Sequence, residues 1–151
     1  MPIRFQGTPA QVQALDTFVK LTRAAHTLAA RLGGPMLKVH GLTESQLGVL
    51  EALHHLGPMP QARLCDKLLT SGSNLTTVLD NLERRGWIRR QADPDDRRVR
   101  QVHLTDKGAQ VIGRAFPHHV ANVTALLGAL TREEQKELAR LCRKLGLASA
   151  D

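Results

Sequence analysis

Aromatic residues, cysteines and long apolar runs are all scarce in this chain of 151 residues. Only 3% of the residues are aromatic, with a single tryptophan and no tyrosine. No apolar stretch approaches the roughly 20 residues that a membrane-spanning helix needs. The first eleven residues hold no apolar run that could serve as a signal peptide. We therefore expect a cytoplasmic protein whose two thiols stay reduced.

Signatures of metal binding and catalysis are missing as well. The two cysteines lie far apart, and Cys142 falls on the apolar face of a predicted helix. Neighbouring residues on a helix point about 100° apart, so the pairs His54-His55 and His118-His119 each offer at most one ligand to a given metal. No G-x-S-x-G, H-E-x-x-H or phosphate-binding glycine loop is present. We expect no metal, no cofactor and no catalytic residue, and hence no enzyme.

Aliphatic residues and positive charge are what the chain does contain. It is 42% hydrophobic, with a net charge of +7. This balance is typical of a helical core and favours an anionic partner, either nucleic acid or an anionic membrane surface. Apolar residues recur at helical spacing along most of the chain. The predicted helices cover residues 10–32, 43–56, 61–69, 72–85, 105–127 and a last segment that opens at Thr131.

Local breakers and caps bound these helices. Gly33-Gly34-Pro35 interrupts the first helical pattern, although a second helical stretch could continue to Val39. Gly57-Pro58 ends the second helix, and Pro117 is expected to kink the long one because it removes a backbone donor. Capping-box patterns open the second and the last helix. They consist of Thr43 with Gln46 and of Thr131 with Glu134.

The helix predicted over residues 72–85 combines an apolar stripe with a polar face of small side chains. Such a helix fits a major groove about 12 Å wide. Asn74 could pair with adenine, and the methyl groups of Thr76 and Thr77 could meet thymine methyls. On this helix alone, plain solvation of an outer face explains the same residues equally well. The stripe consists of Leu75, Val78, Leu79 and Leu82, at i, i+3, i+4 and i+7.

The period changes from helix to strand after Gly86. Residues 87–91 and 99–104 alternate roughly between apolar and polar, and the polar segment 92–98 joins them into a predicted β-hairpin. The hairpin tip is rich in arginine, and its base is flanked by further arginines. They are Arg97, Arg98 and Arg100 at the tip, and Arg84, Arg85, Arg89 and Arg90 at the base.

An arginine on a projecting loop can enter a minor groove, where the negative potential is focused. Asp96 is well placed to orient one of the tip guanidiniums by a charge-assisted pair. The alternative is a solvated hairpin whose arginines pair internally with Asp93, Asp95 and Asp96. The position of the hairpin directly after a helix of the DNA-reading type favours the first interpretation.

Three motifs in this region resemble the signature of the MarR family of winged-helix transcriptional regulators. They are Leu-Glu-Arg-Arg-Gly-Trp-Ile-Arg-Arg at 82–90, Asp-Asp-Arg-Arg at 95–98 and Val-His-Leu-Thr-Asp-Lys-Gly at 102–108. Residues 69–76 are similar to the start of the family's recognition helix, and residues 41–43 and 47–58 look like its second helix. The resemblance covers about residues 10–147.

The resemblance implies a fold that is mainly α, with a small β-hairpin wing, as one intertwined domain. Residues 1–40 would form an N-terminal dimerisation region, residues 41–104 a winged helix-turn-helix lobe and residues 105–151 the C-terminal dimerisation helices. It implies a homodimer that binds a near-palindromic duplex operator. Most relatives are repressors, and many release DNA when a small anionic or phenolic compound binds between the dimer platform and the DNA-binding lobe.

The motifs and the resemblance together assign DNA-binding residues, whereas the effector and its pocket residues stay unassigned. Arg98 occupies the place of the family's arginine that enters the minor groove, with Asp96 as its salt-bridge partner. The predicted DNA-binding residues are Ser71, Ser73, Asn74, Thr76, Thr77, Arg97, Arg98 and Arg100.

The chain also departs from the family pattern. Pro60 stands where relatives often have a serine or threonine cap, so the start of the short helix is expected to differ. Gly113 and Pro117 are expected to bend or weaken the long helix, which would alter the angle between the two DNA-binding lobes. The first helix has neither the cysteine of the peroxide-sensing branch nor the tryptophan of the urate-responsive branch, since Trp87 lies in the wing. Both mechanisms are therefore disfavoured.

Two functions of other classes stay open. A winged-helix module that binds another protein should lack the tip arginine and carry an exposed apolar patch on the recognition face. A ligand-storage or metal-binding dimer should bind its ligand equally well with and without DNA, whereas a regulator couples the two binding events reciprocally.

Overall fold

The structure is a computed structural model and describes residues 4–68 and 71–149. Most of the described chain is helical, with three short strands. In chain order the elements are α1 (Pro9–His40), α2 (Glu44–Leu56), β1 (Met59–Pro60), α3 (Gln61–Leu68), α4 (Gly72–Arg84), β2 (Ile88–Ala92), β3 (Arg100–Leu104), α5 (Asp106–Leu127) and α6 (Arg132–Ala148). The short helix was predicted to end at Leu69, which lies outside the described residues.

The chain forms two compact units, Met1–Phe116 and Pro117–Asp151. The boundary falls inside α5, at Pro117, and α5 is nevertheless one uninterrupted helix over Asp106–Leu127. The kink expected at Pro117 stays a prediction. No helix in the described parts of the chain is long and apolar enough to cross a membrane.

The interruption expected at Gly33-Gly34-Pro35 was wrong, because α1 continues through all three residues to His40. A proline inside a helix removes one backbone hydrogen bond and crowds the preceding turn. Packing beyond the proline offsets this cost, since Met36 is buried in the core. Gly41 then ends the helix with φ 67° and donates its N–H to the Leu37 carbonyl at 2.9 Å.

Capping boxes open three of the helices. The predicted boxes of α2 and α6 are both present, with the Thr43 and Thr131 hydroxyls accepting the N–H of Gln46 and Glu134. A third box, Thr8 with Gln11, opens α1 one residue earlier than the pattern predicted. Gly57 ends α2 with φ 79°, in the left-handed region that favours glycine.

The wing belongs to a three-stranded antiparallel sheet in the order β1-β3-β2. Arg90 pairs with Val102 in the β2–β3 hairpin, and Met59 of β1 pairs with Val102 from the other side. The sequence predicted only the two hairpin strands, since a strand of two residues shows no alternation. Pro60 fits the edge of this sheet because an edge strand does not need every N–H.

The core lies entirely in the first unit and fixes the orientation of α4. Leu75, Leu79 and Leu82 are buried, and Val78 is half-buried, as the apolar stripe predicted. The polar face of α4 is therefore left on the outside. The other buried apolar side chains are Met36, Leu42, Leu47, Val49, Leu50, Leu53, Met59, Leu64, Trp87, Ile88, Val102, Ile112 and Ala115.

In the second unit, α6 has an apolar face, and none of the residues of this helix is buried. The predicted face is exposed in the single chain, and its members are Leu138, Leu141, Cys142 and Leu145. Large exposed side chains of this kind on one helix face are typical of a surface that another molecule covers.

Candidate nucleic-acid interface

The N-terminus of α4 is built by a serine cap. The Ser71 hydroxyl accepts the N–H of Asn74 at 3.2 Å and lies 3.3 Å from the Ser73 hydroxyl. These three side chains are exposed. A helix N-terminus has free N–H groups and a partial positive charge, so this end of α4 suits contact with a phosphate.

Thr76 and Thr77 direct their hydroxyl hydrogens back to their own helix. Thr76 Oγ1 donates to the Gly72 carbonyl at 2.9 Å, and Thr77 Oγ1 donates to the Ser73 carbonyl at 3.2 Å. The hydroxyl donors are thus engaged, which leaves mainly the methyl groups for a partner. Apolar contact with thymine methyls fits this arrangement better than donation to a phosphate.

Gln61 is a neighbour of this face that the sequence reasoning missed. Its Nε2 donates to Thr76 Oγ1 at 3.1 Å, so the first residue of α3 is joined to α4. Its only sequence signal was its place as the first residue of the predicted short helix.

The wing turn is organised by Asp93. One carboxylate oxygen accepts the N–H of Asp95 at 2.8 Å and that of Asp96 at 3.3 Å. The other accepts Nε2 of Gln101 at 2.9 Å, and this bond is the main reason why the pKa of Asp93 lies below its usual value. Asp93 therefore builds the turn, as short acidic side chains commonly do.

Arg98 and Asp96 form a forked pair at the wing tip. Arg98 Nε donates to Asp96 Oδ1 at 3.1 Å and Nη2 donates to Oδ2 at 3.4 Å. The N–H of Arg98 also donates to Oδ1 at 3.0 Å. These bonds lower the pKa of Asp96. The Arg98 side chain nevertheless remains 90% exposed, so it is oriented without being covered.

Internal pairing accounts for only part of the charge at the tip. Arg97 and Arg100 are exposed, and within residues 71–149 the Arg98–Asp96 pair is the one ion pair that joins the tip arginines to the wing aspartates. The interpretation in which all of these arginines pair with the wing aspartates therefore does not hold for Arg97 and Arg100.

Two arginines at the hairpin base make internal contacts instead of facing outward. Arg85 donates to the Gly41 carbonyl at 2.9 Å, and its guanidinium carbon lies 3.7 Å from the centre of the Trp87 ring. Arg90 binds Asp80 and Glu83 of α4. The sequence predicted only that these arginines flank the base of the hairpin. A local sequence pattern does not show that their partners lie on earlier helices and loops. Asp80 and Glu83, at i and i+3 on one helix face, were the available signal.

The Thr105-Asp106-Lys107-Gly108 motif joins the wing to α5. Thr105 Oγ1 donates to the Gly86 carbonyl at 2.7 Å and accepts the N–H of Gly108 at 3.0 Å. The N–H of Thr105 donates to the Trp87 carbonyl at 3.1 Å. One hydroxyl thus caps α5 and holds the turn that follows α4.

A groove of about 370 Å³, largely open to solvent, lies between α2 and α3. Its walls are mainly apolar, with three ionisable side chains. The lining residues are Gly48, Glu51, Ala52, His55, Leu56, Lys67 and Leu68. Among the residues that the structure describes, no group of three or more His, Cys, Asp or Glu side chains is arranged to hold a metal ion.

The recognition face itself is polar. None of the large exposed hydrophobic side chains in the described ranges lies on α4 or in the wing. This disfavours the alternative in which the lobe binds another protein through an apolar patch. A helical lobe with a polar recognition helix, followed by an arginine-tipped β-hairpin, defines the winged-helix class of DNA-binding proteins.

Comparison with known proteins identifies the family. The sequence model of the MarR family matches residues 42–99. The HTH-type transcriptional regulator MhqR of Bacillus subtilis is 32% identical over 135 residues, which is 89% of this chain and 92% of that protein. The transcriptional repressor MprA of Escherichia coli (strain K12) is 32% identical over 133 residues, 84% of this chain and 75% of that one. The chain belongs to the MarR family.

A solved relative agrees with this assignment. The structure of Sco3205, a MarR family transcriptional regulator from Streptomyces coelicolor, in complex with DNA, matches with a TM-score of 0.87. The two chains are 26% identical, and the match covers 98% of this chain and 93% of the other. The present chain is accordingly a DNA-binding transcriptional regulator and not an enzyme.

Proposed function

We propose that this chain is a homodimeric repressor that reads a near-palindromic duplex operator in the cytoplasm. In each protomer α4 enters the major groove and the wing places Arg98 in the adjacent minor groove. The observation that carries this proposal is the forked Arg98–Asp96 pair, with an almost fully exposed guanidinium at the tip of the wing.

The polar face of α4 supplies the major-groove contacts. Ser71 and Ser73 at its N-terminus suit phosphate oxygens, while Asn74, Thr76 and Thr77 suit base edges. Arg97 and Arg100 add exposed positive charge beside Arg98. The lobe over residues 41–104 thus acts as the DNA-reading part.

Dimerisation uses the apolar side chains that the single chain leaves exposed. On α1 these include Leu15, Phe18 and Leu21, and on α6 Leu138, Leu141 and Leu145. Burial of apolar surface contributes roughly 25 cal/mol per Å². Residues 1–40 and 105–151 are therefore proposed as the dimerisation regions, and dimerisation presents two lobes to two half-sites.

A small effector would release the DNA. The groove between α2 and α3 is the candidate site, since its apolar walls suit an aromatic or aliphatic body, and Glu51, His55 and Lys67 suit hydrogen bonds to polar substituents. Cys65 and Cys142 are both free thiols, and neither is needed for this proposal.

A binding titration tests the proposal directly. A duplex is first selected from a randomised library by the purified protein and is then compared with a scrambled duplex at several salt concentrations. Specific binding should be tighter by a factor of about 10³ or more. Equal affinity for the two duplexes, together with a steep salt dependence, would mean phosphate contact alone and would contradict the proposal.

The wing is tested by Arg98→Ala with Arg140→Ala as a matched control. Both variants remove one exposed arginine that pairs with an acidic neighbour, and Arg140 lies on α6, away from the reading lobe in sequence. Arg98→Ala should weaken operator binding roughly tenfold to hundredfold, the range for a good groove contact. Arg140→Ala should change it by less than about twofold. Equal effects of the two substitutions would exclude the wing assignment.

A further inference from the structure

Arg90 connects the wing to the recognition helix through hydrogen bonds and ion pairs. Its partners are not among the residues proposed to contact DNA. Its Nη2 donates to Asp80 Oδ1 at 2.6 Å and to Glu83 Oε1 at 3.2 Å. Its Nε donates to Glu83 Oε2 at 3.3 Å, and its backbone N–H donates to the same oxygen at 3.0 Å. One residue of β2 thus holds two residues of α4.

This network differs from an ordinary surface ion pair in its geometry and in the burial of its arginine. The Arg90 side chain is only 13% exposed, while Asp80 and Glu83 are 50% and 40% exposed, so solvent screens the carboxylate ends of the network. A planar guanidinium that binds two carboxylates at once has little freedom to rotate. The hydrogen bond from Arg90 is also the main reason why the pKa of Glu83 lies below its usual value. The Glu83 carboxylate is therefore ionised and bound to Arg90 at neutral pH.

Because Arg90 lies some distance from the wing tip, a small rotation of the hairpin at Arg90 would displace the tip. It lies in the middle of β2, opposite Val102 of β3, whereas Arg98 lies beyond the end of the strand. At about 3.3 Å per strand residue, the four residues from Val102 to Arg98 span roughly 13 Å. A tilt of about 10° at Arg90 would move Arg98 by roughly 2 Å, which is larger than the tolerance of a hydrogen bond.

We propose that Arg90 is a positioning residue that fixes the wing relative to α4, so that Arg98 and the recognition helix engage adjacent grooves together. The inference rests on the proposed function, since Arg90 would set the relative orientation of α4 and the wing, the two elements that are proposed to contact DNA. Arg90 itself faces the protein and not the DNA. Its loss leaves both elements folded but no longer in register with one another.

A simpler role is charge neutralisation. Asp80 and Glu83 lie on the DNA-reading helix, and two unpaired carboxylates there would repel phosphates. The two roles predict different results when Arg90 and Asp80 are removed together. Neutralisation predicts that the paired removal restores operator affinity, because the net charge of the lobe is unchanged. Positioning predicts that affinity stays low, because the connection between wing and helix is still missing.

The experiment is a double-mutant cycle between Arg90 and Arg98, measured as affinity of the full chain for the selected operator duplex and for a scrambled duplex. Arg90→Met keeps the aliphatic stem and removes the guanidinium. In the wild-type background Arg98→Ala should cost roughly tenfold to hundredfold in operator affinity. In the Arg90→Met background the same substitution should cost less than about threefold, because a displaced tip no longer contributes. Affinity for the scrambled duplex should change alike in both backgrounds.

Two controls separate positioning from charge and from folding. Arg90→Met with Asp80→Asn should remain as weak as Arg90→Met alone, and Arg140→Met should leave the cost of Arg98→Ala unchanged. Thermal unfolding checks that each variant is folded. Should Arg90→Met fail to fold, Asp80→Ala with Glu83→Ala removes the acceptors of the same bonds from α4 and enters the same cycle. It removes negative charge, so electrostatics alone would tighten binding.

An unchanged cost of Arg98→Ala in the variant background would overturn the proposal, as would full recovery in the Arg90→Met, Asp80→Asn pair. These results are distinct from failure of the proposed function. If the proposed function were wrong, the wild-type chain itself would not distinguish operator from scrambled duplex. Both the proposed function and the role of Arg90 would then be excluded.

Discussion

Gly108 at the start of α5 approaches the backbone of Trp87 so closely that a side chain has no room there. A Cβ placed on Gly108 would lie 2.0 Å from the Trp87 carbonyl oxygen and 2.9 Å from a methyl carbon of Leu104. The Trp87 carbonyl is already held by the N–H of Thr105 and cannot retreat without breaking that bond. The end of the recognition-helix turn and the start of α5 are therefore in direct backbone contact.

Gly108→Ala should consequently destabilise the fold by about 2 kcal/mol or more, because the clash is with backbone and not with a flexible side chain. Gly113→Ala, in the same helix, is the matched control, since a Cβ there meets nothing within 4 Å. It should stabilise by roughly 0.5–1 kcal/mol through helix propensity. Urea denaturation of both variants measures the difference, and similar effects at the two sites would contradict the close approach.

Local signals predicted much of this fold. The boxes of Thr43 and Thr131 and the turn at Gly86 that follows the end of α4 depend on residues within one turn, so the sequence alone places them. For the wing tip, local reasoning predicted that Asp96 orients one of the guanidiniums, and the family resemblance named Arg98 as its partner. These features were predictable because each is decided by neighbours along the chain.

Features decided by distant partners were not predictable. The continuity of α1 through Pro35 depends on the burial of Met36, and β1 exists only because Met59 pairs with Val102. The internal roles of Arg85 and Arg90 likewise depend on partners in other elements. A basic flank and an internal connection look the same in sequence, because both require only an arginine near a turn.

Gln46 joins the start of α2 to the recognition helix. Its Oε1 accepts the N–H of Thr43 at 3.0 Å, and its Nε2 donates to Asn81 Oδ1 at 3.0 Å. Gln46 is buried, so water cannot replace these bonds easily. Gln11 occupies the same place in the capping box of α1 but is exposed.

Gln46→Met should therefore lower the free energy of unfolding by about 1–2 kcal/mol, since it removes two hydrogen bonds of a buried side chain and leaves the half-buried Asn81 amide without this partner. Gln11→Met removes the matching cap bond at an exposed site and should cost no more than about 0.5–1 kcal/mol. Denaturation midpoints with unchanged slopes would report these values. A Gln46 variant as stable as its Gln11 counterpart would show that the bond to Asn81 contributes nothing.

Asp96 should affect the specificity of DNA binding and not only its strength. Asp96→Asn weakens the forked pair with Arg98, while Asp95→Asn removes the same charge one residue away from a side chain that forms no ion pair within residues 71–149. Removing a negative charge alone favours nonspecific binding to DNA. Asp95→Asn should thus tighten binding to operator and scrambled duplex alike.

Asp96→Asn should instead reduce the ratio of operator to scrambled affinity, because Arg98 loses its orientation. The hydrogen bond from Arg98 lowers the pKa of Asp96 below its ordinary value of 3.8, so the pair is intact above that value and is lost only as the pH falls through the lowered pKa. Titrations between about pH 6 and pH 8 therefore compare the Asp96→Asn variant with a wild-type chain in which the Asp96 carboxylate is ionised. Identical ratios in the two variants would mean that Asp96 acts only through its charge.

Leu141 on α6 is exposed in the single chain, within the apolar face that also contains Leu138 and Leu145. A charged side chain on this face would be buried without a partner in a homodimer that covers the face. An unpaired carboxylate is strongly disfavoured in such an apolar interface. Leu141→Glu should raise the dimer dissociation constant by more than about a hundredfold, which corresponds to a few kcal/mol. Lys136→Glu introduces the same side chain about 140° away around the helix and should leave the dimer intact.

Sedimentation analysis across a concentration series measures both dissociation constants, and circular dichroism checks that α6 stays helical. Operator affinity should fall together with dimerisation in the Leu141 variant, because two linked lobes bind two half-sites far more tightly than one. A Leu141→Glu protein that remains dimeric at the wild-type concentration would place the interface elsewhere. A monomer with undiminished operator affinity would instead show that one lobe suffices, and that the palindrome is not read by two copies.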